Sequence, residues 1–385
     1  MEIDFNNLDD IEIDKEGITK KKYNKIIIIV PFFSIIITLS VLVSSFYFLI
    51  KYGNKHKKEI IINCIEGPDD ACFKCKNDKC IKCNYRYDLI NGTCEPTFSI
   101  KVIYETTQYN ESIEIFNNYK YKVYGLELDN ETKEIEDERD FNYIIENPGN
   151  HTAYALFDTS GLNKIITSIF GSEEKIIYIH FTKKFDSKNI TTFHGLFFDY
   201  KKLKYVDISN FDISEAYHMD NIFFGCSSLE AVKLPNSIAP NLMSMSYMFS
   251  NCENLTSVHF SKELNYSTKQ LRELDGMFLN CFSLTSVDFS FLESDNINNT
   301  NNMFSNCYSL SSIDLSNLKT HRTDMDYMFG NCSSLNFLDI SNFDVPSSCI
   351  NCFSNVSKNG KIRVNKNIEE YMKKILPKNW IFEIK

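Results

Sequence analysis

The chain has 385 residues, 43% of them hydrophobic, and 41 basic against 51 acidic residues leave a net charge of −10. That length holds two or three folded parts, and an acidic excess spread along the chain excludes the basic groove that nucleic acid needs, so nucleic acid is not an expected partner. Lysines concentrate only in residues 15–58.

Residues 1–25 read as a short polar tail. From Ile26 to Ile50 there are 25 consecutive uncharged, mostly apolar positions. As a helix they would extend about 37 Å, more than the roughly 30 Å hydrocarbon core, so a transmembrane helix is expected over 26–50. The stretch is too long for a signal-peptide core, and no small-x-small cleavage site comes after it. Flanking lysines do not orient the span, because Lys20, Lys21, Lys22 and Lys25 before it match Lys51, Lys55, Lys57 and Lys58 after it. All 13 cysteines lie after the span. So do the ten Asn-x-Ser/Thr glycosylation candidates, Asn91, Asn110, Asn130, Asn150, Asn189, Asn254, Asn265, Asn298, Asn331 and Asn355. Both features suit an oxidising exterior, which places the N-terminus in the cytoplasm and the rest outside the plasma membrane.

After a juxtamembrane stretch (51–63), residues 64–96 hold Cys64, Cys72, Cys75, Cys80, Cys83 and Cys94. Two Cys-x-x-Cys pairs can bind zinc, but a zinc site usually has a longer insert than the four residues here. Three disulfides are the expectation, stapling a segment too small for an apolar core. Their pairing is open. With Tyr85, Tyr87 and Leu89 between the pairs and Cys94, the segment resembles the furin-like cysteine-rich modules of surface receptors. Residues 97–160 alternate apolar and polar, as in Ser112-Ile-Glu-Ile-Phe116, and predict a small all-β domain that caps the C-terminal part of the chain.

That C-terminal part, residues 161–385, is a repeat. Phe170, Phe197, Phe223, Phe249, Phe278, Phe304, Phe329 and Phe353 recur in steps of 24 to 29 residues, usually with Cys three residues on, then Ser-Leu and a short strand, the first copy being looser. A period of this length means a solenoid, in which each unit buries its apolar face against its neighbours. Met325, Met328, Phe329 and Cys332 are spaced i, i+3, i+4 and i+7, which predicts a helix of about two turns in each unit. The strands direct pairs such as Val206 and Ile208, or Ile313 and Leu315, inward and stack as a parallel sheet. Cys226, Cys252, Cys281, Cys307 and Cys332 share one column and read as compact core bodies. Cys349 and Cys352 fall where Met325 and Met328 fall one repeat earlier, and are likewise read as core rather than as a functional thiol pair. The predicted class is therefore an α/β leucine-rich-repeat solenoid with a parallel sheet and short helices, preceded by the β domain, the disulfide-rich segment and the transmembrane helix.

The motif Met-Phe-x-x-Cys-x-Ser-Leu with the strand Asp339-Ile-Ser-Asn-Phe-Asp344 resembles the BspA-type leucine-rich-repeat surface proteins. The resemblance implies a curved solenoid displayed on a cell surface and used in adhesion or recognition, and it carries no catalytic residues. The outward middle strand column, His180, Asp207, Lys233, His259, Asp288, Asp314, Asp339 and Arg363, is the expected ligand face. Its three consecutive aspartates, Asp288, Asp314 and Asp339, could meet a hard cation such as calcium, but are read as solvated and hydrogen-bonded to nearby backbone or to Ser290, Ser316 and Ser341. No catalytic set, cofactor or metal is predicted, since the seven histidines are scattered and no nucleophile elbow or phosphate loop occurs. The expected partners are the membrane and an extracellular protein or glycan. A structural coat component, or a receptor signalling through an adaptor, is the alternative.

Overall fold

The computed structural model describes residues 98–385 except 117–121, 130, 134–140, 159–168, 237–238, 260–265 and 290–291, and six short strands before residue 98. The chain divides into two units, Met1–Pro96 and Thr97–Lys385. In the first, β1 (Ile11–Ile13) pairs with β2 (Thr19–Lys21), β3 (Cys72–Lys76) with β4 (Lys79–Cys83), and β5 (Tyr87–Ile90) with β6 (Thr93–Pro96), all antiparallel. The predicted span over 26–50, the juxtamembrane stretch and Cys64 lie outside the described residues. Among the described residues no helix is long and apolar enough to cross a membrane.

The second unit begins with β7 (Ile100–Thr106), β8 (Glu111–Glu114), β9 (Lys122–Leu128), β10 (Glu131–Lys133), β11 (Asn142–Ile145) and β12 (Gly149–Asp158). Strands β10, β9, β12 and β7 form an antiparallel sheet, and β8 pairs with β11. Its core takes Ile100, Val102 and Tyr104 from β7, Leu126 and Leu128 from β9, and Ala153 and Ala155 from β12. The buried Tyr104 hydroxyl donates to the Ile115 carbonyl at 2.7 Å, which satisfies both groups. Strand β13 (Ile176–Phe181) then runs antiparallel to β7 on one side and parallel to β14 (Tyr205–Asp207) on the other. One sheet therefore continues from the antiparallel part into the repeats.

Each further coil adds short strands: β15 (Ala231–Lys233), β16 (Ser257–His259), β17 (Tyr266–Ser267), β18 (Ser286–Asp288), β19 (Leu292–Asn299), β20 (Ser312–Asp314), β21 (Leu318–Asp324), β22 (Phe337–Asp339) and β23 (Asn359–Val364). Helix α1 (Lys366–Ile375) and β24 (Asn379–Ile384) complete the chain. The inward residues align between coils, with Val206 opposite Val232, Val258 opposite Val287, and Ile313, Leu338 and Ile362 in one row. A second parallel ladder joins Thr192, His218, Ser244, Glu273 and Asn299, and then Asp324 and Ser348. Helix α1 is capped by the Asn365 side chain, which accepts from Asn367 N and Ile368 N, and it buries Ile368 and Met372, one helical turn apart.

The expected short helices are absent, and the class is corrected to a mostly β solenoid, in which α1 is the sole α-helix among the described residues. Each of the seven coils from Phe197 to Phe353 carries two left-handed residues four apart at the place of the expected helix: Gly195 and Asp199, Asn221 and Gly225, Tyr247 and Asn251, Gly276 and Asn280, Asn302 and Asn306, Tyr327 and Asn331, Asn351 and Asn355. A right-handed helix cannot pass through such residues. Hydrogen bonding shows what replaces it. Met325, Tyr327, Phe329 and Asn331 donate their N–H groups across to carbonyls of the next coil at 2.7–2.9 Å, while Met328 and Cys332 donate to residues three back. The chain thus makes consecutive β-turns with a ladder between coils, and the turns happen to put the same four side chains inward. At Gly276 (φ 57°) a Cβ would also meet the Tyr247 ring at 2.3 Å, so any larger residue there would have to displace that ring.

Inside, Leu229, Leu255, Leu284, Leu310 and Leu335 form a fully buried row. The rings of Phe197, Phe223, Phe249, Phe278, Phe304, Phe329 and Phe353 stack along the axis with centroids 5.3–5.6 Å apart and planes within 5–12°. That spacing is the inter-coil distance taken up by an offset stack. Phe170 leaves the column and packs on Phe116 and Phe181 instead.

Phe304→Ala is expected to destabilise the solenoid by about 3–5 kcal/mol, because it empties a site between two rings. Phe198→Ala, at a half-exposed ring outside the core, should change stability by less than ~1 kcal/mol. Urea unfolding of both variants measures the difference.

Candidate functional site

The side of the sheet turned away from the core presents two outward columns. One holds Tyr178, Tyr205, Ala231, Ser257, Ser286, Ser312, Phe337, Lys361 and Ile381. Beside it runs the column expected from the sequence: His180, Asp207, Lys233, His259, Asp288, Asp314, Asp339 and Arg363, continued by Glu383. The strand alternation puts all of them on one face.

Two clamps of opposite charge occupy the ends of that column. Asp207 is buried, with His180 Nδ1 at 3.2 Å and Lys233 Nζ at 3.5 Å from the neighbouring coils. Ser209 donates to it twice, from its hydroxyl at 2.6 Å and its N–H at 3.0 Å. Burial alone would raise the Asp207 pKa, but the hydrogen bond and charge of His180 together with the Ser209 bonds outweigh it and hold the carboxyl down at about 2. At the other end Asp339 is buried and receives Arg363 Nη1 at 2.8 Å, while Arg363 Nη2 reaches Glu383 at 3.1 Å and the guanidinium lies 5.5 Å over Phe337. An aromatic cluster flanks the first clamp: Tyr178 and Tyr205 stack at 5.2 Å, and Lys101 lies over both Tyr154 and Tyr178.

Between the clamps His259 and Asp314 are exposed and Asp288 is half-buried. Asp314 and Asp339 are in register, yet they are not equivalent, because Arg363 balances only Asp339. Ser316 N–H donates to Asp314 and Ser341 N–H to Asp339, but the expectation of solvated carboxylates holds for Asp314 and is corrected for Asp339, which is buried against Arg363. Among the described residues no group of three or more His, Cys, Asp or Glu is placed to hold a metal ion.

The other predicted positions fall elsewhere. Backbone register puts Cys72 opposite Cys83 and Cys75 opposite Cys80 in the β3–β4 hairpin, and Cys94 lies on β6. Asn91, Asn130 and Asn265 are outside the described residues, and Asn110, Asn150, Asn189, Asn254 and Asn298 are exposed. Asn331 and Asn355 belong to a ladder that sequence reasoning missed. Asn280 Nδ2 donates to Asn251 Oδ1, Asn306 to Asn280, Asn331 to Asn306 and Asn355 to Asn331, at 2.6–2.7 Å. All five have φ between 56° and 66°. The signal was available, since Asn stands two residues after the core Phe in each of these coils and is the side chain that best tolerates this conformation.

The buried cysteine column also does more than fill space. Each thiol donates to the carbonyl of the core Phe one coil back: Cys226 to Phe197, Cys252 to Phe223, Cys281 to Phe249, Cys307 to Phe278 and Cys332 to Phe304, at 3.0–3.1 Å. Burial pushes all five thiols up, Cys332 to about 12. Cys349 and Cys352 differ from the core reading, for they are joined in a disulfide.

In native protein Cys226, Cys252, Cys281, Cys307 and Cys332 should resist iodoacetamide and become labelled only as the solenoid unfolds, as read by peptide mass spectrometry. Asp207 has a folded pKa below its unfolded value of 3.8, so its contribution is complete above that value and is lost as pH falls towards about 2. Asp207→Asn should therefore remove about 2 kcal/mol at pH 6 and flatten the fall in stability between pH 4 and pH 2.

A family model described as "Mycoplasma protein of unknown function, DUF285" matches the chain twice, over residues 164–285 and 243–371. No curated protein matches the chain. The two matches overlap, cover more than half of the 385 residues and coincide with the stacked coils whose columns are described above. On that evidence the chain belongs to the DUF285 family.

Proposed function

We propose that this protein is a cell-surface binding module, tethered at a membrane through its apolar Ile26–Ile50 stretch, whose outward sheet face recognises an extracellular protein or glycan. The observation that carries the reading is the division of labour along that face. Its buried carboxylates, Asp207 and Asp339, are held by His180, Lys233 and Arg363 from adjacent coils, whereas the stretch between them leaves His259 and Asp314 exposed on the same ladder. A rigid array of side chains at fixed spacing binds without first having to order itself. The apolar core lies on the other side of the same strands, so these exposed groups are not part of it. Supporting the surface location are the cysteine-rich segment and the position of every cysteine and sequon after the apolar stretch. This reading retains the adhesion and recognition role implied by the resemblance to BspA-type surface proteins.

The test compares residues 97–385 with the double variant Asp288→Lys and Asp314→Lys for binding to cells and extracellular matrix. The expected result is at least ~10-fold weaker binding, about 1.4 kcal/mol, with an unchanged melting temperature. Equal binding by both proteins would remove the face as the recognition surface. Protease shaving of an epitope near Trp380 on intact cells tests the location separately, and full protection contradicts it.

A further inference from the structure

The segment Cys349-Ile350-Asn351-Cys352 takes no part in the outward sheet face. Its two cysteines occupy the columns filled one coil earlier by Met325 and Met328, and in preceding coils by Thr300 and Met303, Leu274 and Met277, and Met245 and Met248. Those pairs are buried and hold their coils without any covalent bond. The architecture therefore does not need a cross-link at these positions. Nor does the bond add much by constraining the unfolded chain, since it joins residues only three apart and closes a very small loop.

Access to the two sulfurs is unequal. Cys352 is 2% exposed, whereas Cys349 is only partly buried and lies beside Ile350, which is 57% exposed. The backbone around Cys349 is fixed from the previous coil: Asp326 accepts from Ser348 Oγ at 2.5 Å and from Ile350 N at 2.7 Å. Cys349 is thus the less buried of the two, packed against the edge of the core in a pinned turn, while Cys352 lies in the core itself. Cys226, Cys252, Cys281, Cys307 and Cys332, by contrast, are fully buried free thiols.

We propose that Cys349–Cys352 is a thiol–disulfide exchange site, entered at the Cys349 sulfur by low-molecular-weight thiols. A thiolate attacks Cys349 Sγ in line with the S–S bond; a mixed disulfide forms, and the electron pair leaves on Cys352 Sγ, which takes up a proton. A second thiolate attacks the mixed disulfide at its own sulfur, releases the small-molecule disulfide and leaves Cys349 as a thiolate that is protonated in turn. In sum one protein disulfide is reduced to two thiols while two small thiols are oxidised to one disulfide. The reduced pair would occupy the same columns as Met325 and Met328, so the terminal coil keeps its fold in both states. The proposal does not depend on the identity of any surface partner.

The experiment equilibrates the full-length protein in a series of reduced and oxidised glutathione, quenches it, and reads each cysteine by differential alkylation and mass spectrometry. The 349–352 peptide is expected to pass from oxidised to reduced across the series while Cys226, Cys252, Cys281, Cys307 and Cys332 stay protected. Once the pair is reduced, Cys349 should alkylate at least ~10-fold faster than Cys352, as its greater access requires. Cys349→Met with Cys352→Met, which copies the preceding coil, should melt within ~3 °C of the parent, because a shift of that size corresponds to well under one cavity-sized defect. A pair that stays oxidised until the solenoid unfolds, or a double variant that melts more than ~8 °C lower, would make the bond a structural staple and overturn the proposal. Equal labelling of the two sulfurs would overturn entry at Cys349.

Discussion

A pair of left-handed residues, four apart in each coil from Phe197 to Phe353, is the constraint on which this molecule depends. It forbids the helix that the side-chain spacing would otherwise favour, and it frees alternate backbone N–H groups such as those of Tyr327 and Phe329 to bond to the next coil. In an α-helix those donors would be consumed within the same segment. Here they join neighbours along the axis, so the backbone of each coil is completed only by the coil beside it. This is the hydrogen-bond counterpart of the packing rule for repeat proteins, in which no unit is stable alone.

Side chains reinforce the same axis. The stacked Phe rings, the thiols that donate to Phe carbonyls and the amide ladder from Asn251 to Asn355 each connect one coil to the next. Each link also satisfies a need created by the turns. A left-handed residue favours Asn, and an Asn at one position in successive coils can bond to its own copy. The inward Phe278 carbonyl already accepts the Cys281 N–H at 3.2 Å, and the Cys307 thiol adds a second, weak donor from the next coil without adding bulk. The cysteine column thus reflects both volume and hydrogen bonding.

The repeat, the inward strand residues and the buried Phe, Cys and Leu columns are all legible in the chain, because they rest on period and on which side chains avoid water. The segment around Met325 misleads for a physical reason: i, i+3, i+4, i+7 spacing is produced by an α-helix and also by consecutive turns, and only the Asn and Gly positions distinguish them. Partner choice along the outward face is less legible. His180, Asp207 and Lys233 stand in one expected column, yet nothing in their order says that Asp207 is buried between the other two. The bond between Cys349 and Cys352 is hidden by the regularity that identifies the repeat, since both residues fit a column that elsewhere holds Met.

The coils differ in length without losing register, and the differences are confined to one part of the turn. Between Phe249 and Phe278 the step is longer than its neighbours, and the additional residues lie between Val258 and Leu271, whereas from Phe223 to Phe329 Cys and Leu come after each Phe at the same distances. Pleats, rings and amides therefore meet their counterparts whichever coil comes next. A gene encoding such a chain can gain or lose an entire coil by unequal recombination and still specify a continuous stack, while a single-codon insertion inside the Phe-to-Leu stretch would displace every column at once. Descendants of one ancestor should accordingly vary in the number of windings and hardly at all in the length of that stretch.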